Sequence, residues 1–174
     1  VHVWRVDMIA ASKTPSIQRE QHQKAESSRV VGTTCVRKVD PQEGEIMGVS
    51  HFNSSSASVI TFATQKGVIH SWDLRCDKEP FSLKHSGGLG NLTSMALGSD
   101  RNWLVSGTSK GYLVLWDIRF QQTVKLWRHS RGSSISRLAT SYVLSPQQWG
   151  STDSSGGARP FLFVASGLNE CGMF

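Results

Sequence analysis

The chain has 174 residues, of which 38% are hydrophobic and 18% are charged, a balance typical of a globular domain. The net charge is +6, but the basic residues stand singly or in pairs, so we expect a solvated surface and no nucleic-acid partner. The three cysteines are widely spaced and form no CxxC pair, which argues against a disulfide framework and a zinc site.

The first thirty residues divide into a short apolar segment and a polar one. Residues 1–7 contain His-Val-Trp, a strand-like sequence that is a weaker copy of segments found further along the chain. Residues 8–30 are rich in Lys, Gln, Glu and Ser, a composition that predicts an exposed insertion. We therefore assign residues 1–7 to the end of a preceding structural repeat.

Two later segments, 62–75 and 106–119, align without gaps at an offset of 44 residues. Each contains a Lys-Gly turn and ends in Trp-Asp-x-Arg. A period of about 40 to 45 residues that ends in Trp-Asp is the signature of the WD repeat, which forms one four-stranded blade of a β-propeller. We predict an all-β fold, a partial WD-repeat β-propeller with two central blades at 31–76 and 77–120 and parts of the flanking blades.

The positions that the two repeats share are predicted to be structural. They are two turn glycines, two tryptophans that fill the space between blades, two aspartates and two loop histidines: Gly67 and Gly111, Trp72 and Trp116, Asp73 and Asp117, His85 and His129. Both faces of the segment 112–116 are apolar, as expected for a strand packed between two blades. Lys stands in both turns where many WD repeats have Asp, so we expect part of the usual buried polar network to be missing.

The last segment, 121–174, predicts an incomplete blade. Residues 160–167 form an apolar run typical of a strand, and Phe174 stands where the next strand's aromatic residue is expected. Residues 145–159 are rich in Ser, Gly and Gln, which indicates a loop insertion. Because a propeller closes with at least four blades, we expect the chain to be a fragment of a longer protein.

The sequence predicts no catalytic, cofactor or metal site. The histidines form no pair at metal-ligand spacing, and Asp73 and Asp117 lie one repeat apart, on different blades. Neither a phosphate-binding loop nor a nucleophile elbow occurs. The candidate functional residues are loop residues that are suited to binding a partner protein: Arg75, Arg119, Phe120 and Arg131.

Several of these segments resemble one family within the WD proteins. The run 107–121, Trp-Asp-Leu-Arg at 72–75 and Asn-Glu at 169–170 are similar to the C-terminal propeller of the phosphoinositide 3-kinase regulatory subunit 4 family, best over residues 59–174. These are the regulatory subunits of the class III phosphatidylinositol 3-kinase. The resemblance also implies an N-terminal kinase-like domain, none of whose motifs occurs in this chain.

The resemblance implies a non-catalytic scaffold without a cofactor. Its partners would be the class III phosphatidylinositol 3-kinase catalytic subunit and a Beclin-type subunit, in complexes that act in autophagy and endosomal sorting. The implied location is cytoplasmic, peripheral on endosomal or autophagic membranes, with membrane contact only through the full complex.

The Trp-Asp-x-Arg boxes leave an alternative open. WD proteins that serve as substrate receptors of cullin-type ubiquitin ligases carry this box, and its Arg reaches the ligase adaptor. In a purely structural reading, Arg75 and Arg119 close the turn after the strand or cover the Trp face by a cation-π contact. The sequence alone does not separate these interpretations.

Overall fold

The computed structural model describes residues 2–7, 29–35, 37–76, 78–143, 159–167 and 170–173. Within these residues the regular structure is β-strand, apart from two short 3-10 helices at Pro41–Glu43 and Gly87–Leu89. The chain divides into two compact units, Val1–Val39 and Asp40–Phe174. In the described part, no helix has the length and apolar character that crossing a bilayer requires.

The first unit contains one antiparallel pair of strands, β1 (His2–Asp7) and β2 (Arg29–Cys35). Residues 2–7 therefore form a strand, as the sequence predicts. The predicted insertion at 8–30 is too long by two residues, because Arg29 and Val30 already belong to β2 and pair with β1. Residues 8–28 lie outside the described residues.

The second unit contains three antiparallel sheets, and each sheet is built in sequence order. The first blade comprises β3 (Ile46–Asn53), β4 (Ser58–Thr64), β5 (Val68–Asp73) and β6 (Ser82–Lys84). The second blade comprises β7 (Leu92–Leu97), β8 (Trp103–Thr108), β9 (Tyr112–Asp117) and β10 (Gln122–Arg128). The third blade has three described strands, β11 (Ile135–Val143), β12 (Arg159–Ser166) and β13 (Glu170–Met173). This architecture confirms the all-β partial propeller.

The blade boundaries differ from the predicted ranges 31–76 and 77–120. The sheets span 46–84 and 92–128, and the third spans 135–173 within the range predicted as 121–174. Trp-Asp ends the third strand of a blade, and the chain then turns back so that Ile69 pairs with Leu83 in β6, and Leu113 pairs with Trp127 in β10. A repeat that is cut at Trp-Asp thus separates each sheet from its outermost strand. Of the predicted loop 145–159, Arg159 begins β12 and the remainder lies outside the described residues.

A buried apolar cluster joins the first blade to the second. Its buried members come from β4 to β9 and the segment before β6: Ala63, Ile69, Phe81, Leu83, Leu92, Leu104, Val114 and Trp116. A second cluster joins the second blade to the third and consists of Ala96, Val105, Leu113, Ile135, Leu138, Leu162 and Val164. Because Val114 and Leu113 lie on opposite faces of β9, they enter different clusters. The strand is packed on both sides, as its sequence predicts.

Polar contacts also connect the second and third blades near their first strands. The hydroxyl of Ser94 in β7 accepts a hydrogen bond of 2.9 Å from the backbone N–H of Leu138 in β11. The hydroxyl of Thr140 donates one of 2.8 Å to the carbonyl of Leu97. These bonds satisfy buried polar groups and hold the two blades in one register.

In the first blade, His70 connects three separate segments. Its Nδ1 lies 2.6 Å from Glu79 Oε1 and its Nε2 lies 2.9 Å from Glu43 Oε2, while the ring stacks on Phe62 with centroids 5.2 Å apart. The equivalent position in the second blade is Val114, which has no polar atoms to satisfy. The histidine therefore ties the 3-10 helix before β3 and the segment before β6 to the central strand β5.

Candidate interaction surfaces

The first Trp-Asp-x-Arg box, residues 72–75, is held inside its own blade. Oδ1 of Asp73 accepts hydrogen bonds from the backbone N–H groups of Ser58, at 3.3 Å, and Arg75, at 3.0 Å. The guanidinium of Arg75 donates to three oxygens at the end of β3 and in the β3–β4 loop: the carbonyls of Ser55 and Ser54 at 2.6 and 2.8 Å and Oδ1 of Asn53 at 3.1 Å. Arg75 thus closes the loop between two strands of its blade.

The second box, residues 116–119, makes different contacts. The carboxylate of Asp117 accepts two hydrogen bonds from the Arg119 guanidinium, at 3.2 Å from Nε and 2.7 Å from Nη2. The guanidinium also lies 5.5 Å from the ring centroid of Phe120, which is 69% exposed. Since the Arg119 side chain is itself 59% exposed, the second box presents an ordered Arg and Phe pair to solvent.

Both aspartates are more acidic than a free carboxyl group. The backbone N–H of Arg75 is the largest cause of the lowered pKa of Asp73, and the Arg119 side chain is the largest cause of the lowered pKa of Asp117. A carboxyl group whose pKa is lower in the folded state adds stability above its unfolded pKa of about 3.9. That stability is lost as the pH falls through the lower, folded pKa.

We therefore expect the free energy of unfolding to decline below pH ~4 in part through these two carboxylates. In Asp117→Asn the Asp117 contribution to this decline is absent, so the acid limb is shallower than in the wild type. Denaturant unfolding measured at intervals from pH 7 to pH 2.5 checks the slope. Parallel acid limbs in the two proteins would contradict this prediction.

Arg131 lies at the end of the blades that is opposite to the Trp-Asp-x-Arg boxes. The strands β5 and β9 run from the Lys-Gly turns to the boxes, so the turns and boxes mark opposite ends of each blade. We call the end with both boxes the box edge. Arg131 follows β10, which runs back to the turn end, and its Nη1 lies 3.0 Å from Oε1 of Glu170 at the start of β13. The fold therefore separates Arg131 from the other three predicted partner-binding residues.

The two loop histidines also lie at the turn end. The backbone N–H of His85 donates to the carbonyl of Gly67 at 3.1 Å, and that of His129 donates to the carbonyl of Gly111 at 2.7 Å. Within the described part of the chain, Nε2 of His85 and Nδ1 of His129 are buried without a hydrogen-bond partner. By contrast, Trp116 Nε1 donates to Ser106 Oγ at 3.1 Å. In the described residues, the buried polar network expected of a WD repeat is thus incomplete at the two histidines, whereas the indole of Trp116 in the second blade is hydrogen-bonded.

A cleft of about 830 Å³ lies beside Arg119, between β9–β10 of the second blade and β12 of the third. Trp103, Leu115, Trp127 and Phe161 form much of its apolar lining. The cleft lies beside β10, in which Trp127, the equivalent of the buried Leu83 in β6, is only partly buried and Val124 is 61% exposed. The sequence analysis did not select these β10 residues, although their apolar alternation in Thr-Val-Lys-Leu-Trp was the available signal.

Among the residues that the structure describes, no group of three His, Cys, Asp or Glu side chains is arranged to hold a metal ion. Cys76 and Cys171 are both free and exposed. The candidate binding surface therefore consists of the exposed Arg119 guanidinium and Phe120 ring beside the apolar cleft.

No family model matches the chain. Curated relatives do match it, and they carry the name VPS15. The probable serine/threonine-protein kinase vps15 of Dictyostelium discoideum is 38% identical over 121 residues, and the serine/threonine-protein kinase VPS15 of Arabidopsis thaliana is 31% identical over 145 residues. These matches cover 69% and 82% of this chain. The chain therefore belongs to the VPS15 family. This confirms the resemblance to the regulatory-subunit family.

A third VPS15 relative, the putative serine/threonine-protein kinase of Komagataella pastoris, is 31% identical over 86 residues, which is 49% of this chain. The chain spans only 6% to 9% of the length of these VPS15 relatives. The kinase activity in the names of these relatives therefore refers to proteins that are much longer than this chain.

Solved structures with the same architecture are much less similar in sequence. The β-propeller domain of Myceliophteria thermophila Cps50 (Swd1) matches with a TM-score of 0.52 and 16% identity, covering 75% of this chain and 35% of that one. The computationally designed Ika4 protein matches with a TM-score of 0.53 and 17% identity, covering 80% and 71%. At these identities the likeness concerns the fold alone, and it supports the propeller assignment.

Proposed function

We propose that the chain is the non-catalytic WD-repeat scaffold of a class III phosphatidylinositol 3-kinase regulatory subunit. Its propeller binds the catalytic subunit and the Beclin-type subunit of a complex that acts in autophagy and endosomal sorting. The complex works in the cytoplasm and attaches peripherally to endosomal or autophagic membranes. The similarity to VPS15 over most of the chain carries this proposal.

The box edge of the second blade is the surface that we assign to partner binding. Arg119 and Phe120 are exposed next to each other, and arginine and aromatic residues contribute most to protein interfaces. The two hydrogen bonds to Asp117 fix the guanidinium, so less conformational entropy is lost when a partner binds. Arg75 supports the architecture of this edge, and Arg131 contributes only to contacts at the turn end.

The test uses the full-length regulatory subunit carrying both Arg119→Glu and Phe120→Ala. Because two adjacent anchors are removed, we expect recovery of at least one partner subunit to fall by about tenfold or more in quantitative co-purification. Lys38→Glu, the reversal of an exposed charge that belongs to neither proposed binding surface, is the control for nonspecific effects of charge. Unchanged recovery of both partners with the double variant, and with a form that lacks the propeller, would overturn the scaffold role.

The contacts of Arg75 bear on the ubiquitin-ligase alternative. A receptor that uses both boxes needs both guanidinium groups to reach the adaptor, yet that of Arg75 is engaged by three oxygens of its own blade. Arg119 alone is presented outward, with one carboxylate partner in its own box. The geometry therefore favours a structural role for the first box.

A further inference from the structure

The turn end of the first two blades gathers basic residues that are far apart in the sequence. Four loops meet there, at 65–67, 84–91, 109–111 and 128–134. The carbonyl of Gln65 accepts from the N–H of Leu92 at 2.8 Å, and the ammonium of Lys110 donates to the carbonyl of Gly88 at 3.1 Å. The exposed basic residues of these loops and strand ends form what we call the basic edge: Lys66, Lys84, Lys110, Arg128 and Arg131.

The basic edge repeats from one blade to the next. Lys110 lies 44 residues after Lys66, and Arg128 lies 44 residues after Lys84. Lys84 pairs with Val68 and Arg128 pairs with Tyr112, so each pair stands at the same end of its blade. The single basic residues of the linear sequence thus become a concentrated surface, because the period of the charges equals the period of the fold.

The basic groups of the second blade are held in place by neutral partners. Nε of Arg128 donates to the carbonyl of Lys110 at 3.2 Å, and its guanidinium lies 5.3 Å from the ring centroid of Tyr112. No carboxylate of the described residues forms an ion pair with Lys66, Lys84, Lys110 or Arg128. Glu170 pairs with Arg131 at the border of the surface. The charges of Lys110 and Arg128 are therefore ordered, and Glu43 and Glu45, whose carbonyls accept from the backbone N–H groups of Lys66 and Gln65, border the surface at the first blade.

We propose that the basic edge binds an acidic segment of a partner protein. An ordered guanidinium donates two parallel hydrogen bonds to a carboxylate, and the neighbouring lysines extend the attraction along the segment. A protein partner is favoured over a membrane surface because peripheral membrane binding gains from apolar side chains that enter the bilayer. The exposed large apolar side chains of the described residues lie outside these four loops. This site is separate from the box edge.

The experiment titrates the full-length protein with a fluorescent ten-residue glutamate peptide, using a ten-residue glutamine peptide as the neutral comparison. We expect binding of the glutamate peptide alone, with an affinity that falls as salt rises. Lys110→Glu combined with Arg128→Glu is expected to weaken binding by about tenfold or more, because two attractions become repulsions. Lys78→Glu combined with Lys125→Glu, which reverses two exposed charges outside these loops, is the matched control and leaves the affinity unchanged.

The position of the peptide provides a second measurement. Carbodiimide coupling joins peptide carboxylates to lysine amines in contact, and mass spectrometry then identifies the lysines. We expect coupling at Lys66, Lys84 and Lys110, and not at the exposed Lys78 and Lys125, which lie outside these loops. If the charge-reversal variant fails to fold, Lys110→Gln combined with Arg128→Gln replaces it and is expected to weaken binding by a smaller factor.

Two results would overturn the proposal. One is coupling at Lys78 or Lys125 with unchanged affinity in the Lys110 and Arg128 variants. The other is the absence of glutamate-peptide binding. If the protein then associates with phosphatidylserine-containing vesicles in a manner that depends on the same two residues, the edge is assigned to a membrane. Loss of partner-subunit recovery in the box-edge variant has no bearing on either result, so the two proposals fail independently.

Discussion

Replacing Trp116 with Ala is expected to lower the free energy of unfolding by about 3 to 5 kcal/mol, as for other large aromatic residues removed from a core. Trp116 is 5% exposed and belongs to the cluster that joins the first and second blades. Its loss opens a cavity between two sheets and leaves the hydroxyl of Ser106 without its indole donor. Equilibrium denaturation, followed by circular dichroism, measures the change.

Trp127→Ala is the matched comparison for Trp116→Ala. Trp127 lies on the outermost strand β10 and is only partly buried, so its removal is expected to cost less than half as much. Hydrogen exchange should show faster opening of β8 and β9 in the Trp116 variant than in the Trp127 variant. Equal losses in the two variants would contradict the role of Trp116 in filling the space between the blades.

Gly111→Ala is expected to lower the free energy of unfolding by about 2 to 4 kcal/mol, from left-handed backbone strain plus overpacking. The φ angle of Gly111 is +78°, and a Cβ atom there would lie 2.6 Å from the carbonyl oxygen of Ser133 and 2.8 Å from the carbonyl carbon of Gly132. Because these neighbours are backbone atoms of the loop to the third blade, they cannot swing aside. Thermal unfolding of the variant measures the loss.

Two other glycines calibrate this result. Gly87 has no atom within 4 Å of an added Cβ and has no positive φ, so Gly87→Ala is expected to be nearly neutral. Gly67 has a φ of +88°, and an added Cβ would clash with the ring of His85, which is buried and whose Nδ1 lies 2.9 Å from the carbonyl oxygen of Ser86. Gly67→Ala is therefore expected to cost about as much as Gly111→Ala. A loss at Gly87 as large as that at Gly111 would contradict this explanation.

The repeat made the core of each blade predictable. Lys-Gly turns, the strands on either side of them and the buried position of Trp116 follow from local preferences and from a period that recurs after 44 residues. The blade boundaries could not be predicted from the repeat. The Trp-Asp pair ends the third strand of a blade, and the fourth strand, β10, pairs with β9 only after the chain turns back. A repeat in sequence defines the length of a blade but not where its sheet begins.

The candidate site was only partly predictable for a related reason. Arg119 and Phe120 are adjacent in sequence, so their contact could be anticipated from the box alone. The acceptors of Arg75 lie in the loop 53–55, about twenty residues earlier, and no local pattern indicates them. The same holds for the ion pair between Arg131 and Glu170, which bridges the second and third blades.

By itself, the sequence determined that the chain folds as WD-type blades with Gly67 and Gly111 in tight turns and Trp-Asp at the ends of the third strands. These features depend on backbone conformation and on alternation along one strand, both of which act over a few residues. Only the tertiary structure decided that Arg75 is engaged within its blade while Arg119 is presented outward. It also decided that scattered lysines and arginines share one edge, because those contacts join segments that are distant along the chain and close only after the sheets assemble.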